Sequence, residues 1–236
     1  MPERLHKYLA RCGAGSRRQC ETFMAEGRVK VNGETVRVPG AVIDPESDRV
    51  EFNGREVRPQ SFHYLMLNKP PGYVCTSHDP RGRPRAIDLV PREFGRLYNV
   101  GRLDAESEGL ILITNDGDFA HRMMHPRHEK RKVYLLWLNE SLPEAELSAW
   151  KKGVNSHGER LRVLSIRAQP RDRAGFPYRI ELGEGRNRHL RRMAEVSGRK
   201  VLRLQRVAIG SLGLGSLKRG TWRLLTTQEL KSLTRD

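Results

Sequence analysis

From Tyr64 to the end of the chain, short apolar segments follow one another with few helical patterns between them. Eight of these segments are four to nine residues long, as β-strands usually are: YLMLN, LYNVG, GLILIT, VYLLWL, LRVLSIRA, YRIEL, VLRLQRVAI and WRLL. Several succeed one another without an intervening helix, whereas a doubly wound parallel sheet needs a helix at each crossover. We therefore predict an α+β fold with a mixed, mostly antiparallel sheet flanked by helices.

Helical spacing is confined to four segments of this region. They are residues 118–125, 143–153 and 188–198, and a C-terminal segment that Thr226 and Glu229 open as a capping box. Neither GxGxxG nor GxxxxGK[ST] occurs in the sequence, so no motif indicates a nucleotide cofactor.

The first 58 residues have a different pattern. Apolar residues at helical spacing predict a helix over residues 4–12, and Ser16 with Gln19 forms a capping box for a second helix. The dipeptides Asn32-Gly33 and Asn53-Gly54 predict two tight hairpins. We expect a small α/β-hairpin module at 1–58, a linker at 59–63 and a larger domain at 64–236.

Charge indicates the kind of partner. The net charge is +16, and residues 59–236 carry 33 basic against 19 acidic side chains, so we expect a polyanion as the partner.

No apolar run approaches the length of a membrane-spanning helix, and the first residues lack the apolar core of a signal peptide. Cys12, Cys20 and Cys75 form no CxxC pair, which favours a reduced, cytoplasmic compartment.

Three places could carry chemistry. Asp104 lies two residues after Arg102 and between Gly101 and Gly109, which we expect to let the backbone bend closely around it. It is either a turn residue or a rigidly held, ionised carboxylate. Tyr134 opens an apolar strand, where a tyrosine usually belongs to the core.

The third place is GEGRNRHLRRM, residues 183–193, which holds four arginines in seven positions. We predict that Arg188, Arg191 and Arg192 share one face of a helix. So much like charge is unfavourable unless an anion or a carboxylate meets it, so we favour an anion-binding role.

Two sets of motifs resemble known families. The segments SRR and GRVKVNG within the first module resemble the S4 RNA-binding domain. NKPPGYVCTSHDPRGRP, VGRLDAESEGLILITNDG, HPRHEKRKVY and EGRNRHLRRM, in this order, resemble the motifs of bacterial ribosomal RNA pseudouridine synthases of the RsuA/RluB type. The two resemblances together cover essentially the whole chain.

The second resemblance implies an enzyme that isomerises a uridine of rRNA to pseudouridine without a cofactor or a metal. It implies that Asp104 is the essential carboxylate, that Tyr134 lies against the target base and that Arg191 pairs with Asp104. Ser107 replaces the usual threonine and His189 the frequent glutamine. We expect rRNA as the partner, and the similarity to the RluB type favours large-subunit rRNA. We expect the protein to be a monomer.

Further residues are expected to contact RNA. The S4 resemblance implies an RNA-facing surface formed by Arg4, Lys7, Arg17, Arg18, Arg28, Lys30 and Asn32. In the larger domain, Lys69 and Arg102 are candidates for phosphate or ordering contacts, and we expect the arginines beside Arg191 to hold the RNA backbone: Arg186, Arg188 and Arg192.

Two alternatives stay open at this point. A metal-dependent nuclease could use the acidic and histidine side chains near Asp104, which are Glu106, Glu108, Asp116, Asp118, His121, His125 and His128. A non-catalytic RNA-binding or ribosome-assembly protein could retain the same scaffold. Loss of activity on RNA after chelation would favour the nuclease.

Overall fold

The computed structural model describes residues 1–125 and 130–235. The chain forms two units, one of Met1–His63 with Arg92–Arg96 and one of Tyr64–Pro91 with Leu97–Asp236. The sequence did not indicate that residues 92–96 belong with the first unit. None of the helices in the described parts of the chain combines the length and the apolar character that crossing a lipid bilayer requires.

The first unit contains two helices and six short strands. Its helices are α1 (Leu5–Arg11) and α2 (Arg17–Ala25), and a 3₁₀ turn covers Arg92–Phe94. Its strands are β1 (Glu3–Arg4), β2 (Val29–Val31), β3 (Glu34–Thr35), β4 (Val42–Ile43), β5 (Val50–Phe52) and β6 (Arg55–Glu56). An antiparallel sheet has the order β3-β2-β5-β6, and β1 pairs with β4.

Local sequence signals explain these elements. The Ser16 side chain accepts a hydrogen bond from the Gln19 backbone N–H, and the Gln19 side chain accepts one from Ser16, so the predicted capping box is confirmed. Both hairpins turn at an Asn-Gly pair, with Asn32 and Asn53 in the left-handed region at φ 52°. Leu5 and Leu9 of α1 are fully buried in this unit's core.

The second unit contains four helices and eleven strands within the described residues. The helices are α3 (Gly117–Met124), α4 (Glu144–Lys152), α5 (His189–Val196) and α6 (Thr227–Arg235), and a 3₁₀ turn covers Ala86–Leu89. The strands are β7 (Tyr64–Lys69), β8 (Tyr98–Val100), β9 (Glu108–Thr114), β10 (Lys132–Leu138), β11 (Val154–Ser156), β12 (Glu159–Leu161), β13 (Ser165–Ala168), β14 (Phe176–Leu182), β15 (Val201–Ile209), β16 (Leu212–Gly213) and β17 (Trp222–Leu224).

Nine of these strands form one sheet. Its main order is β13-β14-β10-β15-β9-β7-β17, with β16 paired to β15 and β8 paired to β9. Among the described pairings only β9 with β15 is parallel, and the others are antiparallel. The predicted α+β fold with a mixed, mostly antiparallel sheet is therefore confirmed.

The most apolar segment of the sequence becomes the centre of this sheet. Every residue of β9 is buried, and Leu110 and Leu112 pack with Phe119 of α3 and Leu233 of α6. Because β9 is covered on both faces, its middle residues Leu110–Ile113 are all apolar instead of alternating. The loop before β9, which holds Asp104, is thus attached to a fully buried strand of the unit's core.

Sequence reasoning was wrong about one strand and missed four. The segment LRVLSIRA is not one strand, because β12 ends at Leu161 and β13 begins at Ser165, and between them Val163 N–H donates to the Trp150 carbonyl. The strands that were not predicted are β1, β4, β11 and β16, each two or three residues long. Segments this short carry too few residues for an alternating pattern.

Candidate active site

Asp104 lies in the loop that joins β8 to β9. Its backbone carbonyl accepts a hydrogen bond from Ser107 N–H at 3.0 Å, which closes a turn, and its side chain is about one-third exposed. Gly101 precedes it with φ 77°. The turn and Gly101 thus place the partly exposed carboxylate at the end of the sheet where β9 begins.

The structural role of Gly109 differs from the role that the sequence predicted. Its φ is 103°, and a Cβ atom there would lie 2.2 Å from the backbone oxygen of Arg206 in β15. The residue therefore permits the close parallel approach of β9 and β15, and it does not bend the chain around Asp104.

Arg191 of α5 contacts three residues of the Asp104 loop. Its Nε lies 3.8 Å from Asp104 Oδ2, its Nη1 lies 3.3 Å from Glu106 Oε2, and its Nη2 donates to Ser107 Oγ at 3.2 Å. The side chain is only 12% exposed, and burial lowers the pKa of its guanidinium, although Glu106 and Asp104 oppose that shift. The structure thus brings Arg191 and Asp104 together, with a fixed cation behind an accessible carboxylate.

Lys69, the last residue of β7, also binds the loop that holds Asp104. It is fully buried, and its Nζ donates to the backbone oxygens of Pro70, Tyr73 and Ala105 at 2.8, 2.8 and 3.2 Å. Burial lowers the pKa of its ammonium to about 8. All three donors of the ammonium are used inside the protein, so Lys69 has none left for a phosphate. Of the two contacts expected for Lys69, the structure therefore supports the one that orders the loop.

Tyr134 of β10 lines a cavity of about 470 Å³ together with Asp104. Its side chain is 8% exposed, and it sits across from Ile180 of β14 and Arg206 of β15. Apolar side chains of the cavity include Leu112 and Leu204. A cavity that combines apolar side chains with polar and charged groups suits one planar, polar ring such as a nucleobase.

Arg206, which sequence reasoning did not single out, also lines this cavity. It is 3% exposed, its Nε donates to the Leu110 carbonyl at 2.7 Å, and the described residues provide no carboxylate for it. Its buried Nη2 has no hydrogen-bond partner among them either. An arginine inside the apolar strand sequence VLRLQRVAI is the signal that could have identified it.

Two more cavity residues have shifted acidities. Burial lowers the pKa of Lys132, and the nearby charge of Arg206 lowers it further. Burial also lowers the pKa of His189, which favours the neutral form of its ring. The cavity thus combines one carboxylate with several basic groups.

The single helical face predicted for Arg188, Arg191 and Arg192 was wrong for Arg192, since Arg188 and Arg191 both reach Glu106 and Arg192 does not. The helix α5 begins only at His189, and Arg188 precedes it in the left-handed conformation, with Nη1 3.7 Å from Glu106. Arg192 turns away from Asp104, with Nη1 2.5 Å from Glu159 Oε2. Successive helical residues diverge by about 100°, so Arg191 and Arg192 bind different segments.

The other residues expected to contact RNA in this unit differ in how they are held. Arg186 lies 3.0 Å from Glu184 and 3.8 Å from Glu159. Arg102 is exposed, lines the Asp104 cavity and has no ion pair within the described chain. Arg102 is therefore the more available of the two for a phosphate.

In the first unit, some of the predicted RNA-facing side chains are engaged in the fold. Asn32 bonds Asp48 and the Arg49 N–H through its amide, and Arg28 bonds Asn53 and stacks on Phe23 with its guanidinium carbon 4.3 Å from the ring centroid.

Other side chains of this set are less constrained. Arg4 donates to the Gly40 carbonyl, and Lys7 is half-buried. Arg17, Arg18 and Lys30 are exposed and make no side-chain hydrogen bond or ion pair with the described residues. These three are the side chains of the set most available to a polyanion.

The carboxylates considered for a metal site serve other purposes. Asp116 caps α3 and accepts from the Tyr64 hydroxyl at 2.8 Å, while Glu108 pairs with Arg203 and Arg219. Over residues 1–125 and 130–235, no group of three or more histidine, cysteine, aspartate or glutamate side chains could hold a metal ion. His128, named with this alternative, lies outside the described residues.

Comparison with known proteins finds a matching family for each of the two parts of the chain. Residues 63–196 match the family described as RNA pseudouridylate synthase, and residues 3–59 match the S4 domain. An uncharacterized RNA pseudouridine synthase of Aquifex aeolicus is 39% identical over 99% of this chain and 94% of its own length.

Two further similarities extend over nearly the whole chain. The ribosomal large subunit pseudouridine synthase B of Bacillus subtilis is 36% identical over 98% of this chain and 95% of its own length. A crystal structure of a pseudouridylate synthase, 31% identical, superposes with a TM-score of 0.69 over 98% of this chain and 99% of that one.

Proposed function

The chain belongs to the RNA pseudouridylate synthase family, and we propose that it converts a uridine of large-subunit ribosomal RNA into pseudouridine. In this proposal Asp104 is the essential carboxylate. The name of the Bacillus subtilis relative, a ribosomal large subunit pseudouridine synthase, supports the choice of RNA. The S4 match and the net charge of +16 support binding to a large polyanion. One observation carries the proposal: the carboxylate of Asp104 and the ring of Tyr134 line one cavity, with Arg191 buried behind the carboxylate.

The reaction is an isomerisation and needs no external reactant. The N1–C1′ bond of uridine breaks, the base rotates, C5 joins C1′, and the proton lost from C5 is balanced by the proton gained at N1. No electrons enter or leave, so we propose that the enzyme works without a cofactor.

Asp104 has three possible roles in this sequence of steps. Its carboxylate attacks C1′ of the sugar, attacks the base, or removes a proton from the sugar. Each role needs the ionised form, and the guanidinium of Arg191 lies 3.8 Å from the carboxylate as its counter-ion. Lys69 binds the Ala105 carbonyl at 3.2 Å and so keeps the neighbouring carboxylate in place.

The cavity's size and shape imply how the uridine reaches it. A base stacked inside a helix is out of reach, so the target nucleotide must be flipped out or already single-stranded. Stacking of the base on Tyr134 contributes on the order of 1 to 3 kcal/mol. Cationic side chains of the same cavity, Arg102 and Arg206, offset the repulsion between Asp104 and the RNA phosphates.

Mapping pseudouridines in rRNA tests this function. Cells that lack the gene should lose one or a few pseudouridines from large-subunit rRNA, and the wild-type gene should restore them. An unchanged pattern in the deletion strain would refute the choice of rRNA. Loss of a small-subunit position instead would retain the activity but correct the substrate.

A further inference from the structure

A second depression adjoins the Asp104 cavity. Its volume is about 790 Å³, and its lining shares Met123, Met124, Lys132, Gly185 and Arg186 with that cavity. We call it the basic groove. Because five residues line both depressions, the two lie side by side, and an RNA strand that crosses these residues on leaving the cavity would reach the groove.

The lining of the basic groove is strongly cationic. Among the described residues that line it, one is acidic, Glu184, and seven are lysine or arginine: Lys130, Arg131, Lys132, Lys152, Arg160, Arg162 and Arg186. Like charges at this density repel one another unless an anion lies between them. This lining differs from the mainly apolar lining of a small-molecule pocket.

Part of this charge is not neutralised inside the protein. Arg131 lies 3.3 Å from Glu181, and Arg186 lies 3.0 Å from Glu184. By contrast, Lys152 and Arg162 are exposed, and no carboxylate or side-chain hydrogen bond holds either of them within the described chain. Their ammonium and guanidinium groups are therefore available to an anion in the groove.

Arg160 is held in position beside these two. Its Nη2 donates to the Lys152 carbonyl at 2.8 Å, at the end of α4, and it has no carboxylate partner among the described residues. Gly153, with φ 109°, leaves room for it, since a Cβ there would lie 2.8 Å from Arg160 Nε. The end of α4 and the hairpin of β11 and β12 thus present three cations to one groove.

We propose that the basic groove binds the phosphates of the RNA strand next to the target uridine, through Lys152, Arg160 and Arg162. This inference rests on the proposed function, which places the uridine in the adjoining cavity. A single-stranded segment carries one charge per nucleotide, and spaced cations along an open groove match that pattern better than they match one small anion. Leu164, 47% exposed in the same lining, offers apolar surface to a base.

Paired charge variants of the full-length chain test the proposal. The variant Lys152→Gln with Arg162→Gln removes two groove cations. The matched control, Lys151→Gln with Arg167→Gln, removes two exposed cations of the same types outside the groove lining. Binding of an in vitro transcript of large-subunit rRNA is measured by titration at several salt concentrations, and KM is measured by tritium release from uridine labelled at C5.

The groove variant should weaken binding and raise KM by roughly tenfold, and the slope of log affinity against log salt should fall by about 1.4 to 1.8. The control should change neither quantity by more than about twofold. Equal losses in both variants would overturn the proposal, because general attraction would then explain them. Absence of tritium release in the wild type would refute the proposed function, while the binding comparison would still decide the role of the groove.

Discussion

Among the arginines of the segment 183–193, Arg191 differs from its neighbours in what it holds. It reaches Asp104, Glu106 and Ser107 at once, whereas Arg192 binds the hairpin of β11 and β12 through Glu159. A planar guanidinium presents its donors from three nitrogens in a fixed fork and so spans separate partners, whereas an ammonium presents all its donors from one nitrogen. We therefore regard Arg191 as a positioning residue that orients the carboxylate of Asp104 and compensates its negative charge.

Replacement of Arg191 tests this role. Arg191→Gln should lower kcat for tritium release by at least about 100-fold, equivalent to about 3 kcal/mol of transition-state stabilisation. Arg191→Lys should recover part of that loss, because it restores the charge without the three contacts. Thermal unfolding of both variants serves as the control for folding. A kcat near that of the wild type in a folded Arg191→Gln variant would contradict the role.

At the scale of elements, the site depends on the junction of β9 and β15. The strand β9 carries the Asp104 loop, and β15 carries Arg206 opposite Tyr134 of β10. Their parallel pairing brings Gly109 against the backbone of Arg206 with no room for a Cβ. A side chain at residue 109 would force the two strands, and with them the cavity walls, apart.

Gly109→Ala should therefore destabilise the protein by about 2 to 4 kcal/mol, because it combines a positive φ with a backbone clash. Gly213→Ala in β16 is the matched control, since that residue has no positive φ and nothing within 4 Å of an added Cβ. The control should change the free energy of unfolding by less than about 0.5 kcal/mol. Denaturant titration measures both, and similar small values for the two variants would contradict the explanation.

The elements also show what the sequence could and could not predict. Periodicity and capping residues predicted the helices well, because those signals are local, as Ser16 with Gln19 illustrates. The role of Gly109 could not be predicted, because β15 lies about 100 residues further along the chain. The burial of Lys69 was missed for the same reason: one of its three carbonyl partners, Ala105, lies in a distant loop.

At the scale of the whole molecule, the chain combines an S4 unit with a strongly cationic synthase unit. Residues 1–58 carry 11 basic and 9 acidic side chains, and most of the net charge lies beyond them. The exposed cations Arg17, Arg18 and Lys30 are nevertheless available in the S4 unit. We propose that residues 1–58 and 64–236 are separate domains, although residues 92–96 group with the first unit, and that the first domain adds RNA affinity without building the catalytic centre.

Deletion of residues 1–58 tests this division. The remaining fragment should keep its β-rich circular dichroism spectrum and unfold cooperatively, while its affinity for rRNA falls. The full-length variant Arg17→Gln with Arg18→Gln should also bind rRNA more weakly, which separates loss of charge from any effect of truncation. Complete loss of secondary structure in the fragment would contradict the proposed boundary.

The most direct test of the central claim is tritium release from rRNA labelled at uridine C5, measured for the wild type, Asp104→Asn and Asp118→Asn. We predict that the wild type and Asp118→Asn, which neutralises an exposed carboxylate of the same unit, release tritium at similar rates. Asp104→Asn should release none while it still binds the RNA. Release by Asp104→Asn at the wild-type rate would contradict the account, because the carboxylate would then not be required for the chemistry.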